Sequence, residues 1–180
     1  MDHIQKRGVG LNVKLTGEKQ FYQFIGAYDH QIELTLYPEK ELDTIGHVVV
    51  LPWYSDKWLF TVHKERGIEW PGGKVEQGER PLAAALRELY EETGGYASSI
   101  WLVGYYKVFE SQRHTFTKNI YVAKISGVDP VPLADDVERV EFLPLDFDPS
   151  EKGYSPLVQD QVFHFVRKEV FPSLRGVAFD

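Results

Sequence analysis

At 180 residues, 43% apolar and 14% aromatic, the chain suits one domain with a substantial core and is too apolar for disorder. A formal net charge of −7 excludes a broad nucleic-acid or anionic-membrane surface, yet leaves polyphosphate binding open if metal ions bridge the like charges. Zero cysteines exclude disulfides, thiolate nucleophiles and cysteine-ligated zinc, and fit a cytoplasmic protein.

The opening run, MDHIQKRGVGLNVKLTGEKQ, has no apolar h-region, and no stretch approaches the ~20 apolar residues of a membrane span. The expectation is a soluble, unexported protein. Gly8 and Gly10 lack the rest of a dinucleotide fingerprint and read as turn glycines. Residues 21–28 (FYQFIGAY) are aromatic enough to be buried, as an edge strand or a packing arm. Residues 1–29 read together as an N-terminal extension, with the main domain over 30–180. Residues 31–37 (QIELTLY) alternate Ile32, Leu34 and Leu36 with polar neighbours, as a half-buried strand does, and Pro38 closes them. Residues 47–51 (HVVVL) are β-branched and continuously apolar, which predicts a central strand. Ser55, Asp56 and Lys57 make a hairpin turn, and residues 58–63 (WLFTVH) return. A polar loop over 63–67 leads into Ile68, Glu69 and Trp70, directly before Pro71.

Residues 72–95 read GGKVEQGERPLAAALRELYEETGG, and the chain is organised around them. Pro81 suits the first turn of a helix, where its missing N–H costs little, and Gly94 and Gly95 suit the exit, where a left-handed residue is wanted. Leu82, Leu86 and Leu89 follow helical spacing and predict the apolar stripe. Glu88, Glu91 and Glu92 fall within about one third of the circumference, on another arc. Carboxylates so close repel one another, and a hard divalent cation with oxygen-only ligands, Mg²⁺ or Mn²⁺, relieves the repulsion. Arg87, four residues before Glu91, is placed to hold that carboxylate by a charge-assisted hydrogen bond.

After the helix, residues 99–109 and 115–125 read as two antiparallel strands joined by the polar link ESQRH. Residues 129–136 form a loop, 137–143 (VERVEFL) a last strand, and 144–156 another loop. Ser155 caps a helix over 157–170, whose Val158, Val162, Phe165, Val166 and Val170 face the sheet. The tail from 171 carries no signal. Periodicity alone gives a mixed α and β protein of roughly six to eight strands. There is no Walker A run, no G-x-S-x-G elbow and no H-E-x-x-H. The six histidines (His3, His30, His47, His63, His114, His164) lie far apart and read as structural or surface residues.

Gly73, Glu79, Arg87, Glu88, Glu91, Glu92 and Gly94 match every charged and glycine position of G-x5-E-x7-R-E-U-x-E-E-x-G-U, where U is bulky and apolar. Leu89 fills the first U, and Gly95 at the second is the one departure. The stretch resembles the Nudix box, over residues 73–95. The resemblance implies an α/β/α sandwich with a mixed β-sheet, the box helix on one side and the C-terminal helix on the other. It also implies water attack on a phosphorus of a nucleoside diphosphate derivative, assisted by Mg²⁺, with Mn²⁺ as a substitute. Carried over residue by residue, Glu91 and Glu92 are metal ligands, and Glu88 is a ligand or the general base. Glu79 is an ancillary metal-site or hydrogen-bonding residue, Arg87 a clamp, and Gly72 or Gly73 a backbone-carbonyl ligand. A further acid from a later loop is sought in Glu110 or Glu138.

Outside the box, KERGIEWPGGKVE, KNIY and Tyr154-Ser155 resemble the YtkD-type branch of MutT-like nucleoside triphosphatases. That branch implies oxidised purine triphosphates such as 8-oxo-dGTP as substrates, with pyrophosphate and the monophosphate as products. Asn119 then reads the purine edge, or else is a strand residue bonding its neighbours. Gly73, Lys74, Lys118, Arg113 and Lys64 are candidate substrate contacts, and Trp70 either stacks on a base or packs in the core. The alternatives are ADP-ribose, a dinucleoside polyphosphate or an RNA 5′-triphosphate as substrate, or a binding module that does not cleave. The retained glutamates argue for an enzyme, monomeric or homodimeric, with a nucleotide as its partner.

Overall fold

The computed structural model describes residues 15, 17–40, 42, 46–151 and 153–176, so Gly8 and Gly10 lie outside it. β1 (Gln20–Ile25) and β2 (Gln31–Leu36) pair antiparallel across a tight turn at Ala27–Asp29. Of the two readings of FYQFIGAY, the edge strand is the one observed over its first five residues. Tyr28 and Asp29 both take left-handed backbone, at φ 59° and 57°, a conformation that costs a non-glycine residue roughly 1 kcal/mol.

β3 (His47–Tyr54) turns at Ser55 and Asp56 into β4 (Lys57–His63), as the polar triplet predicts. The short strands β5 (Gly67–Glu69) and β6 (Gly72–Lys74) precede the helix α1 (Pro81–Thr93). β7 (Gly95–Glu110) and β8 (Arg113–Val128) form a long hairpin, and β9 (Val137–Pro144) closes the sheet. The strand order is β1-β2-β7-β8-β3-β4-β5, with β6 also on β3 and β9 also on β4. β3 and β8 run parallel and every other strand pair is antiparallel. The sheet is therefore mixed, as expected, but the nine strands among the described residues exceed the expected count. β6 reads GGK and has no apolar pattern. Only its pairing to β3 makes it a strand.

Each face of the sheet carries its own core. On one, Ala84, Ala85 and Leu89 of α1 pack against Val48, Val50, Tyr121 and Ala123. Leu82 and Leu86 sit at the margin, because the small Ala84 and Ala85 let the helix approach the sheet along a line rotated from the leucine stripe. Burial of Leu89, fully shielded, stabilises the docking by roughly 1.5–3 kcal/mol. Pro81 takes the first helical turn, and Gly94 ends the helix in left-handed backbone at φ 70°. Gly95 opens β7, its N–H bonded to the Thr93 hydroxyl at 2.9 Å. A Cβ there would lie 2.8 Å from that hydroxyl oxygen, which explains why the bulky position of the box pattern is vacant.

The other face holds an aromatic core of Trp58, Phe60, Trp70, Phe147 and Phe163, covered by the C-terminal helical segment. That segment is not one helix over 157–170. It runs as α2 (Pro156–Gln159), α3 (Gln161–Phe165), a π-helical turn (Val166–Val170) and α4 (Phe171–Arg175). Ser155 caps α2 as expected, through Leu157 N–H. The break falls at Asp160, whose extended backbone and side-chain bond to Val162 N–H start a new helix. α4 lies in the tail that carried no signal, and Phe171 and Leu174 are buried there. The two layers of helix about a mixed sheet are the α/β/α sandwich that the box implied. No helix among the described residues is long and apolar enough to cross a membrane.

Candidate active site

The acidic face of α1 meets the edge of the sheet at β6. Gly72 and Gly73 lie opposite Val49 and Val48 in the β3 ladder, and both approach too closely for a side chain. A Cβ on Gly72 would stand 2.4 Å from the Val48 carbonyl oxygen, and one on Gly73 would stand 2.3 Å from Glu88 Oε1. The Gly72 N–H donates to Glu92 Oε2 at 3.0 Å. Glycine is required at Gly72 by contact with backbone, whereas at Gly73 a side chain would displace the Glu88 carboxylate.

Arg87 is the hub. Its Nε and Nη2 donate to the two oxygens of Glu79, both at 2.9 Å, and Nη1 donates to Glu88 at 2.8 Å and Glu91 at 3.2 Å. Nη2 also reaches the Lys74 carbonyl at 3.1 Å, while Glu79 Oε2 accepts from Glu76 N–H at 3.0 Å. The expected clamp on Glu91 is present, but Arg87 spends its two-pronged grip on Glu79. The loop from Lys74 to Glu79 is thereby tied to the helix.

Burial then differentiates the carboxyls. The Arg87 bond, with help from Glu76, holds Glu79 below the usual carboxylate range. Burial pushes Glu88 up against the pull of Arg87. Glu92 is pushed up to about 8, by burial first and by Glu88, Asp136 and Glu69 after it, with Gly72 N–H opposing. Glu91 is mostly exposed.

A cleft of about 520 Å³ opens beside Gly72 and Gly73 and is lined by His47, Lys74, Tyr106, Lys118, Asp160 and the Ala27–Tyr28 turn. A recess of about 90 Å³ shares Arg66, Gly72, Tyr106 and Lys118 with it and runs inward to Trp70. Burial, followed by Lys118 and Lys74, lowers His47 to about 4, so its ring is neutral near pH 7. Burial lowers Lys118, with Glu69 and Asp160 opposing. Burial raises Asp160 to about 6 against the N–H groups of Val162 and Ala27.

Of the residues singled out in the sequence, Gly72, Gly73, Lys74 and Lys118 line the cleft, Glu79, Glu88 and Glu91 gather on Arg87 beside it, and Glu92 holds the Gly72 N–H. Asn119 faces away, its amide bonded to both N–H and C=O of Leu42 at 3.3 and 3.2 Å. Of its two readings, the strand residue bonding a neighbour describes that arrangement. Lys64 bonds the Asp135 carbonyl, Arg113 and Glu110 flank the exposed β7–β8 turn, and Glu138 pairs with Arg139 at 2.7 Å. None of these four lines the cleft. Trp70 is core-packed, with its ring 4.0 Å from Phe60. His47, Tyr106, Asp160 and Tyr28 join the lining without any local motif. Their only signal is three-dimensional.

Among the described residues, no three acidic or histidine side chains are gathered closely enough to hold a metal ion. The reason is visible in the hub, where Arg87 draws three carboxylates to itself. The donor set still fits a hard divalent cation. It is oxygen-only, it includes a buried carboxyl that lacks a compensating cation, and Gly73 leaves free the space against Glu88 that any Cβ would fill. Gly73→Ala tests that cradle. The methyl would push the Glu88 carboxylate aside, so hydrolytic kcat/KM should fall about 10- to 100-fold, with the far-UV spectrum unchanged. Undiminished turnover would show that Glu88 has no fixed post.

Comparison with known proteins places this geometry. A protein-family model described as the NUDIX domain matches residues 42–161. The Bacillus subtilis (strain 168) protein YtkD, whose name gives it as a candidate 8-oxo-dGTP diphosphatase, is 40% identical over 108 residues. That match covers 60% of this chain and 68% of YtkD. An RNA pyrophosphohydrolase of Agrobacterium fabrum (strain C58) is 65% identical over 26 residues, only 14% of this chain and 15% of that one. Among solved structures, the Bacillus subtilis pyrophosphohydrolase BsRppH superposes with a TM-score of 0.76 at 32% identity. The match covers 84% of this chain and 97% of that one.

Proposed function

The chain belongs to the Nudix domain family, hydrolases of phosphoric anhydride bonds, and from that premise we propose that it is a metal-dependent pyrophosphohydrolase of purine nucleoside triphosphates. Water attacks a phosphorus of the triphosphate, the bond to the bridging oxygen breaks, and nucleoside monophosphate and pyrophosphate leave. The carrying observation is the juxtaposition at β6: the glutamates of α1 on one side of Gly72–Gly73, and a cleft holding Lys74 and Lys118 on the other.

Glu88, Glu91 and Glu92, with a glycine carbonyl at Gly72 and Glu79 in support, are the residues that would hold Mg²⁺ or Mn²⁺. When bound, the ion polarises phosphoryl oxygens and neutralises the charge that develops on them. The other work falls to the chain itself. Arg87 fixes the loop from Lys74 to Glu79 against the helix, so the glutamates and the cleft keep one spacing. Lys74 and Lys118 supply positive charge for the phosphates. Glu88, whose carboxyl is already biased toward proton binding, serves as a ligand or takes the proton of the attacking water.

The printed names of YtkD and the Agrobacterium protein support two substrates, an oxidised purine triphosphate and the 5′-triphosphate of RNA. The free triphosphate is preferred because the cleft adjoins a small recess, of about 90 Å³, lined largely by apolar side chains. The RNA end is kept because Tyr28 stands 56% exposed at the mouth, where a following base could stack. A Mg²⁺-dependent screen with product identification separates them. It should contain dGTP, 8-oxo-dGTP, ATP, ADP-ribose, a dinucleoside polyphosphate and triphosphorylated RNA. Pyrophosphate released fastest from a purine triphosphate is the expected result. AMP and ribose phosphate from ADP-ribose as the leading products, or nucleotide binding without turnover, would overturn it.

A further inference from the structure

Asp160 is a carboxylate in a cleft read as taking phosphates, where a negative charge opposes the ligand. Its hydrogen bonds give it another task. Oδ1 accepts the Val162 N–H at 2.9 Å and so caps α3. The carboxylate also accepts the N–H of Ala27, in the turn between β1 and β2. Oδ2 is the oxygen on that side, since a Cβ on Gly26 would lie 3.4 Å from it. One side chain thus ties the break in the C-terminal helical segment to the turn at the mouth of the cleft, and α2 packs on the same turn.

The turn needs such a tether. Tyr28 and Asp29 are left-handed in succession, at φ 59° and 57°, a conformation that neither residue favours. The turn's own backbone bonds run from Gly26 N–H to the His30 carbonyl at 2.9 Å and from His30 N–H to the Ala27 carbonyl at 3.3 Å, which leaves the Ala27 N–H to Asp160. Tyr28, carried on this backbone, lines the cleft while 56% exposed. A side chain so open, on backbone so strained, keeps one pose only if the backbone beneath it is held. It shares the cleft with Lys74 and Lys118. A ligand whose phosphates meet those ammonium groups presents its remaining part to the other walls, Tyr28 among them.

We propose that Asp160 is a positioning residue for the substrate: through the Ala27 N–H it holds Tyr28 at the mouth of the cleft, where the ring meets the part of the substrate that lies beyond the phosphates. Asp160 itself touches neither the reacting phosphorus nor the metal. It acts through the turn, so its loss weakens binding and spares the chemical step. The assignment rests on the nucleotide reading above and adds a grip that neither the acidic helix nor the two lysines supply.

The first readout needs no ligand: exchange of the Ala27 amide proton, followed by NMR on the full chain. Asp160→Ser keeps a hydroxyl that caps α3 but is too short to reach the turn as well. It should speed that exchange about tenfold, the size of one lost hydrogen bond, while the Val162 amide keeps its rate. The second readout is steady-state kinetics on whichever triphosphate the screen ranks first. Asp160→Ser should raise KM about tenfold and leave kcat within about twofold. Tyr28→Ala should raise KM by as much, and the two changes together by no more than either alone, because both remove one contact. An Ala27 amide indifferent to Asp160→Ser would overturn the proposal, as would an unmoved KM, a kcat that falls as far as KM rises, or additive effects in the double variant. Asp160→Asn stands in if the serine variant fails to fold. Asparagine caps as well as aspartate but offers one oxygen instead of two, so the Ala27 N–H meets an amide nitrogen and the same outcomes decide. No turnover of any nucleotide would sink the enzymatic reading and this one with it. Turnover with an indifferent Ala27 amide would sink this one alone.

Discussion

Glu92→Gln is expected to lower kcat by about three orders of magnitude with the fold intact, the scale set by several kcal/mol of lost transition-state charge stabilisation. Glutamine keeps the shape and an acceptor for the Gly72 N–H, now at 3.0 Å, so the loop stays docked. It cannot ionise, and a divalent cation loses one anionic ligand. Steady-state kinetics across a Mg²⁺ titration would show it, and near-normal turnover at any concentration would remove Glu92 from the site. The same variant has a second signature once metal is chelated. In the folded protein the carboxyl holds its proton up to about pH 8, against an ordinary value of 4.5. Between these values the unfolded chain has released a proton that the native state keeps, so stability falls as pH rises. Removing that liability should make the Glu92→Gln protein about 2–4 kcal/mol more stable than the parent at pH 8.5, with no difference at pH 4. Urea melts at the two pH values test it. A parent whose stability is flat from pH 5 to 8 would contradict the buried, protonated carboxyl.

Arg87→Ala should be the most damaging single change for stability and activity together. It leaves Glu79 and Glu88, whose side chains are 15% and 13% exposed, without their cation, and it frees the loop through the lost Lys74 contact. A loss of about 2–4 kcal/mol in stability is expected, with kcat/KM down by about 100-fold because the loop and helix no longer share a register. Arg87→Lys should recover little of either. One ammonium cannot reach Glu79 in two-pronged fashion and also Glu88, Glu91 and a carbonyl. Full rescue by lysine would mean that only charge matters at this point, and the hub would reduce to ordinary surface ion pairing.

The chemistry of this site was legible in the sequence because it lies on one helix. Helical spacing fixes which glutamates share a face whatever the rest of the chain does, and the two glycines mark the place where backbone must come close. The partner of Arg87 was not legible to the same degree. Glu91, at the helical interval, is the obvious mate, whereas Glu79 belongs to a loop whose fold-back no local rule supplies. The cleft was harder still. His47, Tyr106, Lys118 and Asp160 come from three strands and a helix break, and they meet because β3 runs parallel to β8, a pairing that alternation cannot reveal. Asn119 is a position where local reading leaves two roles open. Its amide has the right chemistry for a base, but its neighbour Lys118 takes the cleft side of the strand, so alternation turns Asn119 to the other face. The helix break at Asp160 hid in an apolar pattern that stays helical on either side of it. A single carboxylate, by offering its own acceptor to the next turn, outweighed the periodicity.

The turn at Ala27–Asp29 lies before residue 42, and Phe163 lies after residue 161, so two walls of the cleft fall outside the stretch that matches the family. The lining from His47 to Asp160 lies inside it. A chain cut to the matched stretch would therefore keep the acidic helix and the floor of the cleft and lose the turn that rims it at Ala27 and Tyr28.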